Sequence, residues 1–172
     1  MGCQSQPNHG LLIGAIIRLL DLINEEANEA ARMDAIREAN ELWKVGAYVC
    51  VLTVASLRGH EGFYLDLAGM RKHVTKGRTG VVPAGLSKTS ILTEEDCLRL
   101  PHITICLLRK FKGETGVDHH LITVANETSS GLKARWWMEK LLEVCECEGR
   151  FDGPAFASPD GQLASSPDYD AV

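Results

Sequence analysis

The residue that says most about chemistry is Arg58, which follows a long apolar stretch in the segment Leu57-Arg58-Gly59-His60-Glu61. A guanidinium that enters the packed interior at such a place is costly unless it is paired. Its planar set of donors suits carboxylate or phosphate oxygens, which it binds with parallel hydrogen bonds. The alternative is a salt bridge from Arg58 to Glu61 or Asp66 that only stabilises a helix end. The residue types therefore predict either an oxyanion clamp or a local ion pair.

A second group of cations, Arg109-Lys110-Phe111-Lys112, lies in a polar, glycine-marked connection between two predicted strands. A lysine on a hairpin turn can reach an oxyanion, and it can donate a proton if its pKa is lowered. Taken alone, the group is more typical of a solvated turn.

The elements that would position these residues follow an α+β pattern, mainly helical with a small antiparallel sheet. Helical spacing predicts a helix over Leu11–Asn24, a polar helix or helical connection over Glu25–Arg37, and a long helix over Asp34–Ser56. The last segment is rich in β-branched residues and could be a strand, but its unbroken helical beginning favours a helix. The further expected elements are a helical turn over Glu61–Leu67, a strand piece at Gly80–Val82, a helix start at Thr93–Leu98, strands over Ile103–Arg109 and His120–Ala125 that form a hairpin over residues 103–125, an amphipathic helix over Leu132–Glu146, and a loop-rich tail over Gly149–Asp170.

Composition indicates one globular domain, because 45% of the 172 residues are hydrophobic and 24% are charged. We expect an irregular N-terminus over residues 1–10 and a single domain over residues 11–172. No apolar stretch reaches the ~20 residues of a membrane span, and the N-terminus lacks the pattern of a signal peptide. The expectation is therefore an intracellular protein, away from membranes, whose six cysteines are reduced.

The net charge of −5 hides an uneven distribution along the chain. Residues 58–112 carry 10 basic and 5 acidic groups, net +5, whereas residues 1–57 are net −3 and residues 113–172 are net −7. A basic middle between acidic flanks is the electrostatic footprint of an anionic partner, although lysine-rich loops produce the same balance by chance.

Metal and nucleotide motifs are not expected. Cys145 and Cys147 have one residue between them, whereas structural zinc ligands usually have two to four, and His119 and His120 do not correct this spacing. The segment Gly77–Gly80 lacks the spacing and the Lys-Ser/Thr ending of a phosphate-binding loop. No serine nucleophile elbow is present. We therefore expect no metal and no cofactor.

The order of these features resembles the first half of the tyrosine recombinase, or phage-integrase-like, catalytic domain, in particular the divergent integrase-like proteins of eukaryotic genomes. The resemblance covers roughly residues 10–172. It rests on the segments Ser56–Leu67 (SLRGHEGFYLDL), Leu108–Gly116 (LRKFKGETG), Thr128–Gly131 (TSSG) and Gly153–Phe156 (GPAF).

The resemblance implies a partial tyrosine-recombinase catalytic fold and a role in DNA recombination or integration, in which a tyrosine attacks a DNA phosphodiester without a metal. Arg58 matches the phosphate-clamping arginine, and Glu61 matches the acidic residue that supports it. Lys112 matches the hairpin lysine that protonates the leaving oxygen, with Lys110 as the alternative. The further residues expected to contact the DNA backbone are Arg109, Lys110, Arg71, Lys72, Lys76 and Arg78.

The implied partner is the phosphate backbone of double-stranded DNA, bound by one copy of the chain or by a homo-oligomer on the DNA. If the source is eukaryotic, the expected location is the nucleus.

Two features of the family have no counterpart in this sequence. No His-x-x-Arg pair is present, and no His or Arg follows Arg150. Tyr48 and Tyr64 precede the hairpin, and Tyr169 lies where the family has a mid-domain helix, so none matches the nucleophile. The expectation is a truncated recombinase domain that is inactive alone. The alternatives are a non-catalytic DNA-binding remnant and a degenerate fragment without activity.

Overall fold

The structure of the chain is a computed structural model, which describes residues 12–71, 102–108 and 120–157. These residues are mainly helical with one two-stranded antiparallel sheet, so the expected α+β class is confirmed at this level. The expected strand piece at Gly80–Val82, the helix start at Thr93–Leu98 and the turn of the hairpin lie outside the described residues. The elements are α1 (Ile13–Arg32), α2 (Ile36–Val54), α3 (Gly59–Gly62), α4 (Leu67–Met70), β1 (His102–Leu107), β2 (His120–Ala125) and α5 (Ala134–Cys147).

The first two helices are long and pack against each other. α1 is one continuous helix, because the Ala- and Glu-rich residues of its second half have high helix propensity. Leu20 and Ala27 form the buried part of its inner face. α2 confirms that the β-branched segment is helical. The helix is buried on several sides, which explains why its own apolar side chains are not confined to one face.

α2 ends in a hydrogen-bonded reversal just before Arg58. Ser56 adopts a left-handed backbone conformation with φ of 53°. The N–H of Leu57 then donates to the carbonyl oxygen of Leu52 at 3.0 Å, which closes a Schellman motif. This reversal turns the chain out of the helix and brings it towards α3.

β1 and β2 form the predicted hairpin with a regular antiparallel register. His102 lies opposite Ala125, and Leu107 lies opposite His120. The bounds of β2 agree with the prediction, whereas β1 ends at Leu107 rather than continuing to Arg109. β1 is buried from its second residue onwards, and because side chains alternate between the faces of a strand, both faces of β1 are covered.

A short extended segment, Leu65 and Asp66, adds two further strand pairings. Leu65 pairs with Leu107 of β1, and Asp66 pairs with Pro154 from the segment after α5. The predicted helical turn over Glu61–Leu67 is therefore wrong in its second half. The backbone is extended there because its N–H and C=O groups form hydrogen bonds with β1 on one side and with the segment after α5 on the other.

α5 crosses α2 and presents an apolar face to the core, as its spacing predicts. Its buried side chains include Trp137, Leu141 and Val144. Phe156, from the segment expected to be a loop-rich tail, is completely buried in the same core. The core thus joins α1, α2, α5, the sheet and the chain that follows α5.

Candidate functional site

Arg58 lies immediately before α3, at its N-cap position, and is exposed. Its N–H donates to Oε2 of Glu61 at 2.7 Å, and its carbonyl oxygen accepts the Glu61 N–H at 2.9 Å. This arrangement is the backbone half of a capping box, in which the third helical residue satisfies the N-cap N–H. The Glu61 carboxylate therefore fixes the backbone from which the Arg58 side chain projects.

The structure corrects the expected surroundings of Arg58. Glu61 binds the backbone of Arg58 rather than its guanidinium, so the predicted side-chain ion pair between them is absent. Within residues 12–71, 102–108 and 120–157, the guanidinium has no hydrogen bond or ion pair. The expectation that it enters the packed interior is also wrong, because the reversal after α2 brings the residue to the surface.

Asp66, the other expected partner of Arg58, has a different role. Its carboxylate accepts the Gly69 N–H at 3.0 Å and so caps the N-terminus of α4. The residue is only 7% exposed, and its Oδ2 also lies 3.9 Å from the Sγ atom of Cys106. Asp66 is thus a structural carboxylate between α4 and β1.

Tyr48 of α2 supports the turn that carries Arg58. Its hydroxyl donates to the carbonyl oxygen of Gly59 at 2.7 Å. Its ring stacks on Phe63 with a centroid distance of 5.1 Å, and it meets Phe156 edge-on at 5.3 Å. Sequence reasoning treated Tyr48 as one more core residue of α2, since nothing in the spacing indicates which carbonyl its hydroxyl reaches.

A continuous set of backbone hydrogen bonds connects this turn to the end of β1. Tyr64 donates its N–H to the Glu61 carbonyl oxygen at 3.1 Å, and its own carbonyl oxygen accepts the Leu108 N–H at 2.8 Å. Leu108 is the last residue described before the connection to β2. The chain therefore enters the hairpin connection next to the segment that follows Arg58 and Glu61.

The other expected cations are described only in part. Arg109, Lys110 and Lys112 lie outside the described residues, and so do Lys72, Lys76 and Arg78.

Arg71 is described, and it lies against the C-terminal part of α5. Its Nη2 atom is 3.7 Å from Oε1 of Glu146, and its guanidinium lies 4.9 Å from the centroid of the Phe151 ring. The charge of Arg71 is thus partly offset by a carboxylate before any ligand is considered.

Two buried thiols are unsuited to nucleophilic chemistry. Burial raises the pKa of Cys50 to about 12 and is the main reason that the pKa of Cys145 rises to about 11. In the described part of the chain, no three His, Cys, Asp or Glu side chains are grouped so that they could hold a metal ion. What this site offers is an exposed guanidinium on a fixed backbone.

No family model, no curated protein and no solved structure matches this chain. Among the described helices, none combines the length and the apolar character needed to cross a membrane.

Proposed function

We propose that this chain is a DNA recombination or integration protein of the tyrosine-recombinase type, and that these 172 residues bind duplex DNA through its phosphate backbone without cleaving it. Arg58 is the proposed phosphate clamp, with Glu61 as its support. The hairpin cations Arg109, Lys110 and Lys112, together with Lys72, Lys76 and Arg78, are the proposed further backbone contacts.

The observation that carries this proposal is the connection between Arg58 and the hairpin. The hydrogen bonds from Glu61 through Tyr64 to Leu108 hold the chain that follows β1 next to the segment that follows Arg58. Arg109, Lys110 and Lys112 follow Leu108 closely in the sequence, which supports a cationic surface shared with Arg58. A phosphate backbone is the extended anion that such a surface suits.

The state of Arg58 also supports the proposal. An exposed guanidinium that has no partner among the described residues keeps its donors for an external oxyanion, and phosphate accepts them in a bidentate geometry. Because the backbone at Arg58 is held by Glu61 and the adjacent Gly59 is held by Tyr48, less conformational entropy is lost on binding.

The absence of cleavage follows from the sequence, which contains no His-x-x-Arg pair and no tyrosine that matches the nucleophile. Removal of a single oxyanion donor already costs about 10²–10³ in rate in well-studied enzymes. A chain without the nucleophile forms no phosphotyrosyl bond.

The test is fluorescence anisotropy of a labelled random-sequence duplex at ~50 to ~200 mM salt. We expect affinity to fall steeply as salt rises, and Arg58→Ala to lower the slope of log K against log salt by about 1. The matched control is Arg18→Ala on α1, which removes the same charge from another exposed position and should leave the slope unchanged.

Two results would contradict the proposal. Binding that does not respond to salt would exclude a phosphate-backbone interaction, and equal effects of the Arg58 and Arg18 variants would exclude a specific clamp. Incubation with a suicide DNA substrate should give no covalent adduct, so an adduct at Tyr169 would disprove the non-cleaving part of the proposal.

A further inference from the structure

A cleft of about 520 Å³ lies between the beginning of α2 and the turn that follows α5. None of its described lining residues belongs to the Arg58 turn, β1 or β2, and its volume falls in the range of small-molecule sites. The described residues that line it are Ile36, Arg37, Asn40, Glu41, Lys44, Glu148, Arg150 and Ala157.

Four of the charged groups that line the cleft compensate one another. Lys44 is only 5% exposed, and its Nζ atom donates to Glu41 at 2.6 Å and to Glu148 at 2.9 Å. Arg150 lies 3.6 Å from the second oxygen of Glu148 and donates to the carbonyl oxygens of residues 154 and 155. Two cations and two carboxylates thus form one fixed, neutral network.

Arg37 carries the one charge in the described lining that no other lining residue compensates. Arg37 and Asn40 are three residues apart on α2, so they lie on the same side of the helix as Lys44. Within the described ranges, neither the Arg37 guanidinium nor the Asn40 amide makes a hydrogen bond or an ion pair. The cleft therefore presents a forked cationic donor and an amide donor, with net charge +1 over its described lining.

We propose that this cleft binds a small organic anion, whose phosphate or carboxylate head is held by Arg37 and Asn40. A guanidinium fork and a neighbouring amide can donate together to the oxygens of one such head group. The body of the ligand lies against Ile36 and Ala157, which supply the apolar part of the cleft.

The size and the charge of the cleft define this ligand class. A volume of about 520 Å³ is much larger than an inorganic ion requires, so the ligand carries an organic body. A cationic ligand is disfavoured by the lining charge, and the carboxylates of Glu41 and Glu148 are already used by Lys44. This site is independent of the proposed DNA contact at Arg58.

The experiment measures binding to the full chain by isothermal titration calorimetry and by NMR of the arginine side chains. The probes are adenosine monophosphate, citrate, inorganic phosphate and uncharged adenosine. We expect adenosine monophosphate or citrate to bind with a Kd of about 1 mM or tighter. Inorganic phosphate should bind more weakly, and uncharged adenosine should show no binding. The first two probes distinguish a phosphate head from a carboxylate head.

Three variants complete the test. Arg37→Gln should weaken binding of the organic anion at least about tenfold, because it removes a charge-assisted hydrogen bond. Arg18→Gln on α1 and Arg58→Ala should leave that binding unchanged, because neither residue lines the cleft. The outcome of this experiment is therefore distinguishable from the outcome of the DNA-binding test at Arg58.

The proposal is overturned if neither organic anion binds the wild-type chain at ~10 mM, about tenfold above the expected Kd. It is also overturned if Arg37→Gln binds like wild type, or if inorganic phosphate binds as tightly as both organic anions. The NMR spectrum of Arg37→Gln shows whether the variant is folded, so loss of binding is not confused with loss of structure.

Discussion

Lys44 shows how a single residue can bind two separate parts of the chain together through charge. Burial is the largest influence and lowers the pKa of Lys44, but the hydrogen bonds and charges of Glu41 and Glu148 together outweigh it. The net effect raises the pKa of Lys44 above its usual value of 10.5. The ion pairs therefore favour the charged form in the folded state and connect α2 to the turn after α5.

This shift predicts a pH dependence of the free energy of unfolding. A pKa that is higher in the folded state stabilises the protein fully below the unfolded value of 10.5, and this contribution is lost as pH rises through the folded value. We expect urea unfolding to show a steeper loss of stability above about pH 10 for wild type than for Lys44→Met.

The comparison with Lys44→Met is needed because two cysteines act in the same direction. The raised pKa values of Cys50 and Cys145 also make the folded state less stable as pH rises above their unfolded value of 9.0. Both proteins share the Cys50 contribution, which cancels in the difference, and the Cys145 contribution differs only through the charge of Lys44, the smallest of the influences on the pKa of that thiol. Identical pH profiles for the two proteins would show that Lys44 contributes nothing through its ion pairs.

At the scale of elements, α2 and α5 approach closely because α2 has a glycine at the contact. A Cβ atom on Gly46 would overlap the indole ring of Trp137, which is 4% exposed. Gly46 is therefore retained in a helix interior where alanine has the better intrinsic propensity by about 1 kcal/mol.

Gly46→Ala should destabilise the protein, because overpacking of about 1–3 kcal/mol exceeds the gain in helix propensity. The matched control is Gly14→Ala near the start of α1, where an added Cβ has no atom within 4 Å. The control should be neutral or slightly stabilising. Chemical denaturation measures both variants, and equal stabilities would mean that the two helices can separate without cost.

The sequence-based predictions were accurate for features that depend on neighbouring residues and inaccurate for features that depend on contacts between residues far apart in the sequence. Apolar periodicity is local, so it correctly predicted α2, the hairpin and α5. The extended pairing of Leu65 and Asp66 depends on β1 and on residues near Pro154, which local patterns do not encode. For the same reason, the exposure of Arg58 and the contact of Tyr48 with Gly59 could not be predicted.

At the scale of the whole molecule, the segment after α5 completes the core. Leu65 accepts a backbone hydrogen bond from Ala155 at 2.8 Å, and Leu67 donates one to Gly153 at 2.9 Å. Phe156 follows at once and is fully buried against Tyr48. The segment thus contacts the same residues that support the Arg58 turn, which argues for one cooperative unit rather than a loosely folded fragment.

Phe156→Ala should therefore lower the free energy of unfolding by about 3–5 kcal/mol, since it removes a large side chain from a packed core. For a chain of this size each kcal/mol corresponds to about 2–4 °C, so the Tm should fall by about 6–20 °C. Phe151→Ala is the matched control, because Phe151 is 51% exposed and loses mainly its contact with Arg71. Calorimetry should show one transition for wild type and a much smaller shift for the control. Two separate transitions, or equal shifts for the two variants, would mean that the segment after α5 is not part of the cooperative core.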